Sequence, residues 1–100
     1  MKIVAVTACP TGIAHTYMAA DELQKEASKQ NISIKVETQG AMGIENQLSL
    51  SDIANADVVL IASDIEIKQR ARFTGSTIHC VTTEEVLVDA YRVLNRCKEL

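Results

Sequence analysis

The sequence predicts an α/β fold: a three-layer α/β/α, Rossmann-like domain built on a four-stranded parallel sheet with strand order 2-1-3-4. Ile3 to Ala8 and Val58 to Ala62 are near-continuous apolar runs, the pattern of strands covered on both faces. Between and after them, apolar residues recur at three- and four-residue spacings, so strands alternate with helices; that order implies parallel pairing through right-handed crossovers. Composition agrees. The chain is 47% hydrophobic and 23% charged, with only 3% aromatic residues, so the core must be built from Ile, Val, Leu and Ala. Its 100 residues give room for one domain, residues 1–100, and one core.

Ile3–Ala8 is expected to be the first and central strand. It should end at Cys9, because Pro10 disfavours helical dihedrals in the residue before it. Thr11 and Gly12 supply turn chemistry. From Gly12 to Gln30, Ile13, Tyr17, Ala20, Leu23 and Ala27 form one helical face, while Asp21, Glu22, Lys25, Glu26 and Lys29 form a solvated one. Asn31 reads as a helix stop. Ile32, Ile34 and Val36 then alternate with Ser33, Lys35 and Glu37, which predicts a second strand nearer the sheet edge, ending near Thr38. Gln39-Gly40-Ala41-Met42-Gly43 follows, either as a wall of a site on the same rim as Cys9 or as an ordinary strand-to-helix connection; both readings stand at this point.

Ser49 to Ala56 can hold a short helix capped by Ser49 or Ser51. Val58–Ala62 is the third strand. Asp64 to Phe73 is mixed: Ile65 and Ile67 alternate like a strand, whereas Lys68, Arg70 and Arg72 crowd basic charge, as a solvated cluster or as a patch that docks a partner. Gly75 marks a turn and Thr77–Val81 a short fourth strand. Thr82 and Glu85 have capping-box spacing, and Val86, Ala90, Val93, Leu94 and Cys97 form the stripe of a last helix. Cys97 and Cys80 are expected to be small buried hydrophobes, and His79 to face opposite Cys80 in a structural or surface role.

Several classes are disfavoured. A net charge of −3 and the lack of an aromatic-basic platform speak against a nucleic-acid partner. The three cysteines have no metal-ligand spacing, so neither metal nor cofactor is expected, and their odd number suits a reducing cytoplasm better than a disulfide framework. The apolar run ahead of Cys9 is short of the roughly 7–15 residues of a signal core. No run approaches the ~20 residues of a transmembrane helix, so direct membrane insertion is not expected and a membrane role would fall to a partner.

The chemistry concentrates in Cys9, Pro10, Thr11, Gly12, Ile13, Ala14, His15 and Thr16. In a parallel sheet, ligands bind at the carboxyl ends of strands where the strand order switches, and the turn after the first strand lies there. The first N–H groups of the following helix lack intrahelical acceptors and sit at the positive end of its dipole. The turn is thus a candidate anion site, and the same field favours a thiolate at Cys9. Thr11 and Thr16 hydroxyls are either further donors to the bound anion or helix-capping and packing groups. His15 either contacts that anion or orients the loop.

Cys9, five residues, then His15 and Thr16 have the outline of the phosphate loop of cysteine-dependent tyrosine phosphatases. The departure is His15, where those enzymes place an arginine that holds phosphate bidentately. A phosphatase also needs an acid for its leaving group, for which Asp64 is the candidate. The whole stretch from Thr7 to Thr16 with Met18-Ala19-Ala20 instead resembles the phosphocysteine motif of the fructose-type enzyme IIB component of the bacterial phosphoenolpyruvate:sugar phosphotransferase system. The resemblance continues through Val36-Glu37-Thr38-Gln39-Gly40, Gly43, Asn46, Ala56-Asp57, Ala62, Asp64-Ile65, Arg72-Phe73 and Gly75. It implies a single fructose-like IIB domain over residues 1–100, a cytoplasmic phosphotransferase with a four-stranded parallel sheet. Cys9 would take a phosphoryl group from a phosphohistidine on a IIA protein or domain, and pass it to fructose or a similar sugar bound by a membrane IIC component. The chain would be a free-standing subunit or a domain of a longer protein. Three classes are therefore carried forward: the phosphorelay subunit, a cysteine phosphatase or arsenate-reductase-like enzyme, and a non-catalytic anion-binding module.

Overall fold

The strand β1 (Lys2–Ala8) lies at the centre of the sheet, and Ile3 to Ala8 are fully buried. The computed structural model describes residues 1–100. After β1 come helix α1 (Ala14–Lys29), strands β2 (Ser33–Gly40) and β3 (Gly43–Glu45), helix α2 (Leu50–Ala54), strand β4 (Val58–Ser63), a 3-10 turn (Arg70–Phe73), strand β5 (Ile78–Val81) and helix α3 (Thr83–Lys98). The sheet order is β3-β2-β1-β4-β5. Its parallel part, β2-β1-β4-β5, has the expected order.

The strand count is the correction: there are five strands, because β3 pairs antiparallel with the end of β2 through a tight turn in which Gly40 faces Gly43. With only Ile44 as an apolar residue over three positions, β3 is too short to show a periodicity. Two boundaries move as well. β2 runs on to Gly40, and α1 starts at Ala14 instead of Gly12, since Gly12 has φ +66 and Ile13 has φ −122 and ψ −90.

Alternate β1 residues feed two cores on opposite faces of the sheet. Ile3 and Ala5 pack with Leu23 and Ala27 of α1, Leu60 of β4, and Val86, Leu94 and Cys97 of α3. Val4 and Val6 pack with Val59, Ile61, Leu48, Ile53, Ile67 and Phe73 beneath α2 and the 3-10 turn. Both short-range helix starts form as expected, with capping boxes of Ser49 with Asp52 and of Thr82 with Glu85. Cys97 is buried, but Cys80 is exposed, because β5 is an edge strand with only partial cover; His79 beside it is half-buried. No helix is long and apolar enough to cross a membrane.

Registers then place the site. Ala8, the last residue of β1, is level with Gln39 of β2 and Ser63 of β4, so the carboxyl ends of three strands meet where Cys9 begins.

Candidate functional site

Cys9 leaves the end of β1 only 2% exposed. The Thr16 hydroxyl donates to its Sγ at 3.1 Å, and the Thr11 hydroxyl lies 3.4 Å from the same sulfur. Thr16 is itself fixed, because the buried Thr7 hydroxyl donates to its carbonyl at 2.9 Å and so ties the first turn of α1 to β1. The Gly12 N–H closes the turn onto the Cys9 carbonyl at 3.0 Å.

Two glycines hold this loop against the β2–β3 hairpin. Gly12 has a left-handed φ of +66, and the Ala41 N–H donates to its carbonyl at 2.9 Å. A Cβ on Gly12 would lie 2.5 Å from Ala41 N, and one on Gly40 would collide with the Gly12 carbonyl oxygen. Only a pair of glycines allows the two backbones to approach this closely.

The N-terminus of α1 carries no side-chain cap and no acidic residue in its first turn. The N–H groups of Ala14, His15 and Thr16 thus have no intrahelical acceptor, and the helix dipole adds positive potential beside the sulfur. Burial works to raise the Cys9 thiol, but hydrogen bonds from the Thr11 and Thr16 hydroxyls and from the Thr16 and Gly12 backbone N–H groups outweigh it, lowering its pKa from 9.0 to about 6. At neutral pH Cys9 is mostly thiolate, the nucleophilic form. Cys97 is pushed the other way by burial, to about 11. Alkylation by iodoacetamide, mapped by peptide, is expected to follow a titration centred near pH 6 at Cys9 and to leave Cys97 unmodified until the chain unfolds. A Thr16→Val change should move the Cys9 titration upward, and an unmoved titration would show that the hydroxyl does not hold the thiolate.

The thiolate opens onto a cleft of about 190 Å³. Cys9, Pro10, Thr11 and Gly12 form its floor, the hairpin from Gln39 to Ile44 one wall, and Ile65, Glu66 and Lys68 the other. The hairpin is therefore a wall of the site. Of the remaining predicted loop residues, Thr16 is buried beside the sulfur, whereas Ile13, Ala14 and His15 are exposed on the outer side of the turn and do not line the cleft.

Two of the alternatives left open by the sequence narrow here. The Asp64 carboxylate is engaged at the start of α3, accepting from the Thr83 N–H at 3.0 Å and from its hydroxyl at 2.6 Å, so it serves as a helix-anchoring group and not as an acid in the cleft. Lys68, Arg70 and Arg72 do not form one basic patch: Lys68 lines the cleft, Arg70 lies beside Cys80, and Arg72 turns inward to Glu37.

That inward pair is the feature the residue pattern missed. Glu37 is 0% exposed, and Arg72 grips it with two N–H donors at 2.8 and 2.9 Å. Gln39 Nε2 donates to the same carboxylate at 2.8 Å and the Leu48 N–H at 2.9 Å. Burial alone would raise the Glu37 carboxyl, but these donors, Arg72 foremost, hold it below its ordinary value. Gln39 also clasps the backbone of Lys68, donating to its carbonyl at 3.0 Å and accepting from its N–H at 2.7 Å. No cluster of His, Cys, Asp and Glu side chains is suited to a metal ion.

Residues 4–96 match the family model described as "PTS system, Lactose/Cellobiose specific IIB subunit". The chain is 46% identical over 95 residues to the PTS system fructose-like EIIB component 2 of Escherichia coli K12, covering 95% of this chain and 90% of that protein. It is 52% identical over 82 residues to the PTS system fructose-specific EIIB'BC component of Vibrio cholerae, covering 82% of this chain but 14% of that longer protein. In structure it is similar to a domain of a fructose-specific IIABC component from Borrelia burgdorferi, with a TM-score of 0.90 and 47% identity over 96% of this chain and 91% of the other.

Proposed function

The chain belongs to the IIB family of the PTS system, and on that premise we propose that Cys9 is the residue that carries its phosphoryl group. A IIB component of the fructose type is a phosphotransferase, a phosphorelay subunit of sugar uptake. The observation that carries the assignment is the Cys9 sulfur, lowered to about 6 and hydrogen-bonded by Thr11 and Thr16 at the floor of a cleft.

In the first half-reaction the thiolate attacks phosphorus in line. The S–P bond forms as the N–P bond of a donor phosphohistidine breaks, and the electron pair stays on the imidazole nitrogen, which takes up a proton. In the second, a sugar hydroxyl oxygen attacks the phosphocysteine; the S–P bond breaks, its electron pair leaves on sulfur as the thiolate, and the hydroxyl proton passes to water. Such transfer needs alignment and charge stabilisation more than bond-making groups. The Gly12 and Thr16 N–H groups and the Thr11 hydroxyl, all beside the sulfur, supply these.

The donor is a phosphorylated IIA protein or domain, and the acceptor is fructose or a fructose-like sugar held by a membrane IIC component. Support for IIC comes from the Vibrio cholerae EIIB'BC relative, and support for IIA from the structural neighbour, a domain of a IIABC component. Both half-reactions run on the cytoplasmic side. A phosphatase reading has less support, with a histidine in place of the phosphate-gripping arginine and with Asp64 bound to α3.

The test is the intact mass of the chain after incubation with phosphoenolpyruvate, enzyme I, the histidine phosphocarrier protein and a fructose-type IIA, followed by peptide mapping. One added phosphate on the Cys9 peptide, dependent on IIA, is the expected result. A folded chain that gains none would overturn the assignment.

A further inference from the structure

Thiolate chemistry at Cys9 requires a floor, and the floor is accounted for by the loop and α1; the far wall of the cleft is not. β4 ends at Ser63 and the next strand begins at Ile78, so Ile65 to Lys68 run beside the cleft with no strand to pair with. The Gln39 side chain takes the place of that strand. It satisfies both the N–H and the carbonyl of Lys68, at 2.7 and 3.0 Å, while its own backbone sits level with Ala8 in the neighbouring strand.

A carboxamide can face either way, and the two faces differ in what they donate. Here the choice is forced. Glu37 as a carboxylate only accepts, so the amide nitrogen must turn toward it, leaving Oε1 for the Lys68 N–H. Arg72 in turn holds Glu37 ionised and bidentate in a fully buried position.

We propose that Gln39 is a positioning residue for phosphoryl transfer at Cys9, splinting the Ile65–Lys68 wall of the cleft to the end of β2, with the Arg72–Glu37 pair dictating the direction of its amide. The inference rests on the phosphorelay reading above. A wall displaced by about 1 Å no longer confines the donor group in line with the sulfur, and misplacement of that size lowers transfer by up to about a hundredfold.

The experiment is rapid-quench mass spectrometry of phosphate uptake from phosphorylated IIA, recording the final stoichiometry and the rate for the wild type, Gln39→Leu, Gln39→Glu and Val93→Ala. Val93 lies in the core under α3, away from the cleft, so its variant reports a purely structural defect. Gln39→Leu is expected to reach the wild-type stoichiometry per folded molecule at a rate lower by roughly 10- to 100-fold, in kcat more than in the KM for IIA. Its Cys9 alkylation should still titrate near pH 6. Val93→Ala should retain the wild-type rate per folded molecule. Gln39→Glu guards against a leucine variant that fails to fold. When protonated, the introduced carboxyl group still donates to Glu37 and accepts from Lys68; when ionised it repels Glu37. Its rate relative to wild type should therefore rise as pH falls, across the range where its circular dichroism is native.

A wild-type rate in Gln39→Leu, a loss that only tracks its unfolded fraction, or a Gln39→Glu ratio flat with pH would overturn the proposal while leaving the relay intact. A wild-type chain that takes up no phosphate would remove the relay reading, and this inference with it.

Discussion

Cys9→Ser is expected to take up no phosphate from phosphorylated IIA while keeping the wild-type fold. Serine presents a hydroxyl that stays protonated at neutral pH, whereas Cys9 is lowered to about 6 and is mostly ionised. The fold should survive, because the change adds no volume and the Thr16 hydroxyl can donate to either atom. Intact mass and circular dichroism measure the two halves of the statement separately. Cys80→Ser and Cys97→Ser supply the counter-test: the first is exposed and the second lies in the core under α3, so each should still accept phosphate if folded. Phosphate retained by folded Cys9→Ser would sink the site assignment.

Arg72→Met is expected to cost about 3–5 kcal/mol of stability near neutral pH, because it leaves a fully buried carboxylate without its counter-charge. Against a typical total of roughly 5–15 kcal/mol, that is enough to threaten folding. The loss includes the bond from Arg72 Nε to the Gln69 carbonyl and the stacking of the guanidinium over the Phe73 ring. The pH dependence reverses sign.

In the wild type the folded Glu37 pKa lies below its unfolded value. Its contribution is therefore present above the unfolded pKa and lost as pH falls through the folded one. In the variant, burial acts with its main opponent removed and raises the folded pKa above the unfolded value. The protonated form is then favoured, and stability is lost as pH rises. Urea midpoints taken between about pH 4 and pH 8 should show a deficit that widens with pH. The double change Arg72→Met with Glu37→Leu should recover much of it, since an apolar pair of similar size leaves no charge behind. A deficit independent of pH would mean that Glu37 does not titrate as the buried partner of Arg72.

The strands β1, β2, β4 and β5, and their parallel pairing through intervening helices, are legible because apolar runs and helical stripes are local patterns. So are the caps of α2 and α3, which lie within three residues of their partners. Cys9 stood out for the same reason: Pro10 and Gly12 bracket a turn at the end of the most buried strand. What escaped depends on residues far apart in the chain. Glu37 sits in an alternating polar position, and nothing near it tells that Arg72, 35 residues later, will arrive to make burial tolerable. The start of α1 was misplaced because the conformation of Gly12 is bound to Ala41 and Gly40. The exposure of Cys80 follows from β5 being an edge strand, a property of the sheet and not of the strand.

The back-to-back contact of Gly12 with the β2–β3 hairpin also ties the Cys9 loop to a distant part of the chain. The donors around the Cys9 sulfur all come from Thr11, Gly12 and Thr16, residues of one short segment. Yet that segment is also held by a hairpin nearly thirty residues downstream, through the Ala41 N–H on the Gly12 carbonyl. The loop that surrounds the Cys9 sulfur is therefore seated by the tertiary fold and not by its own sequence alone.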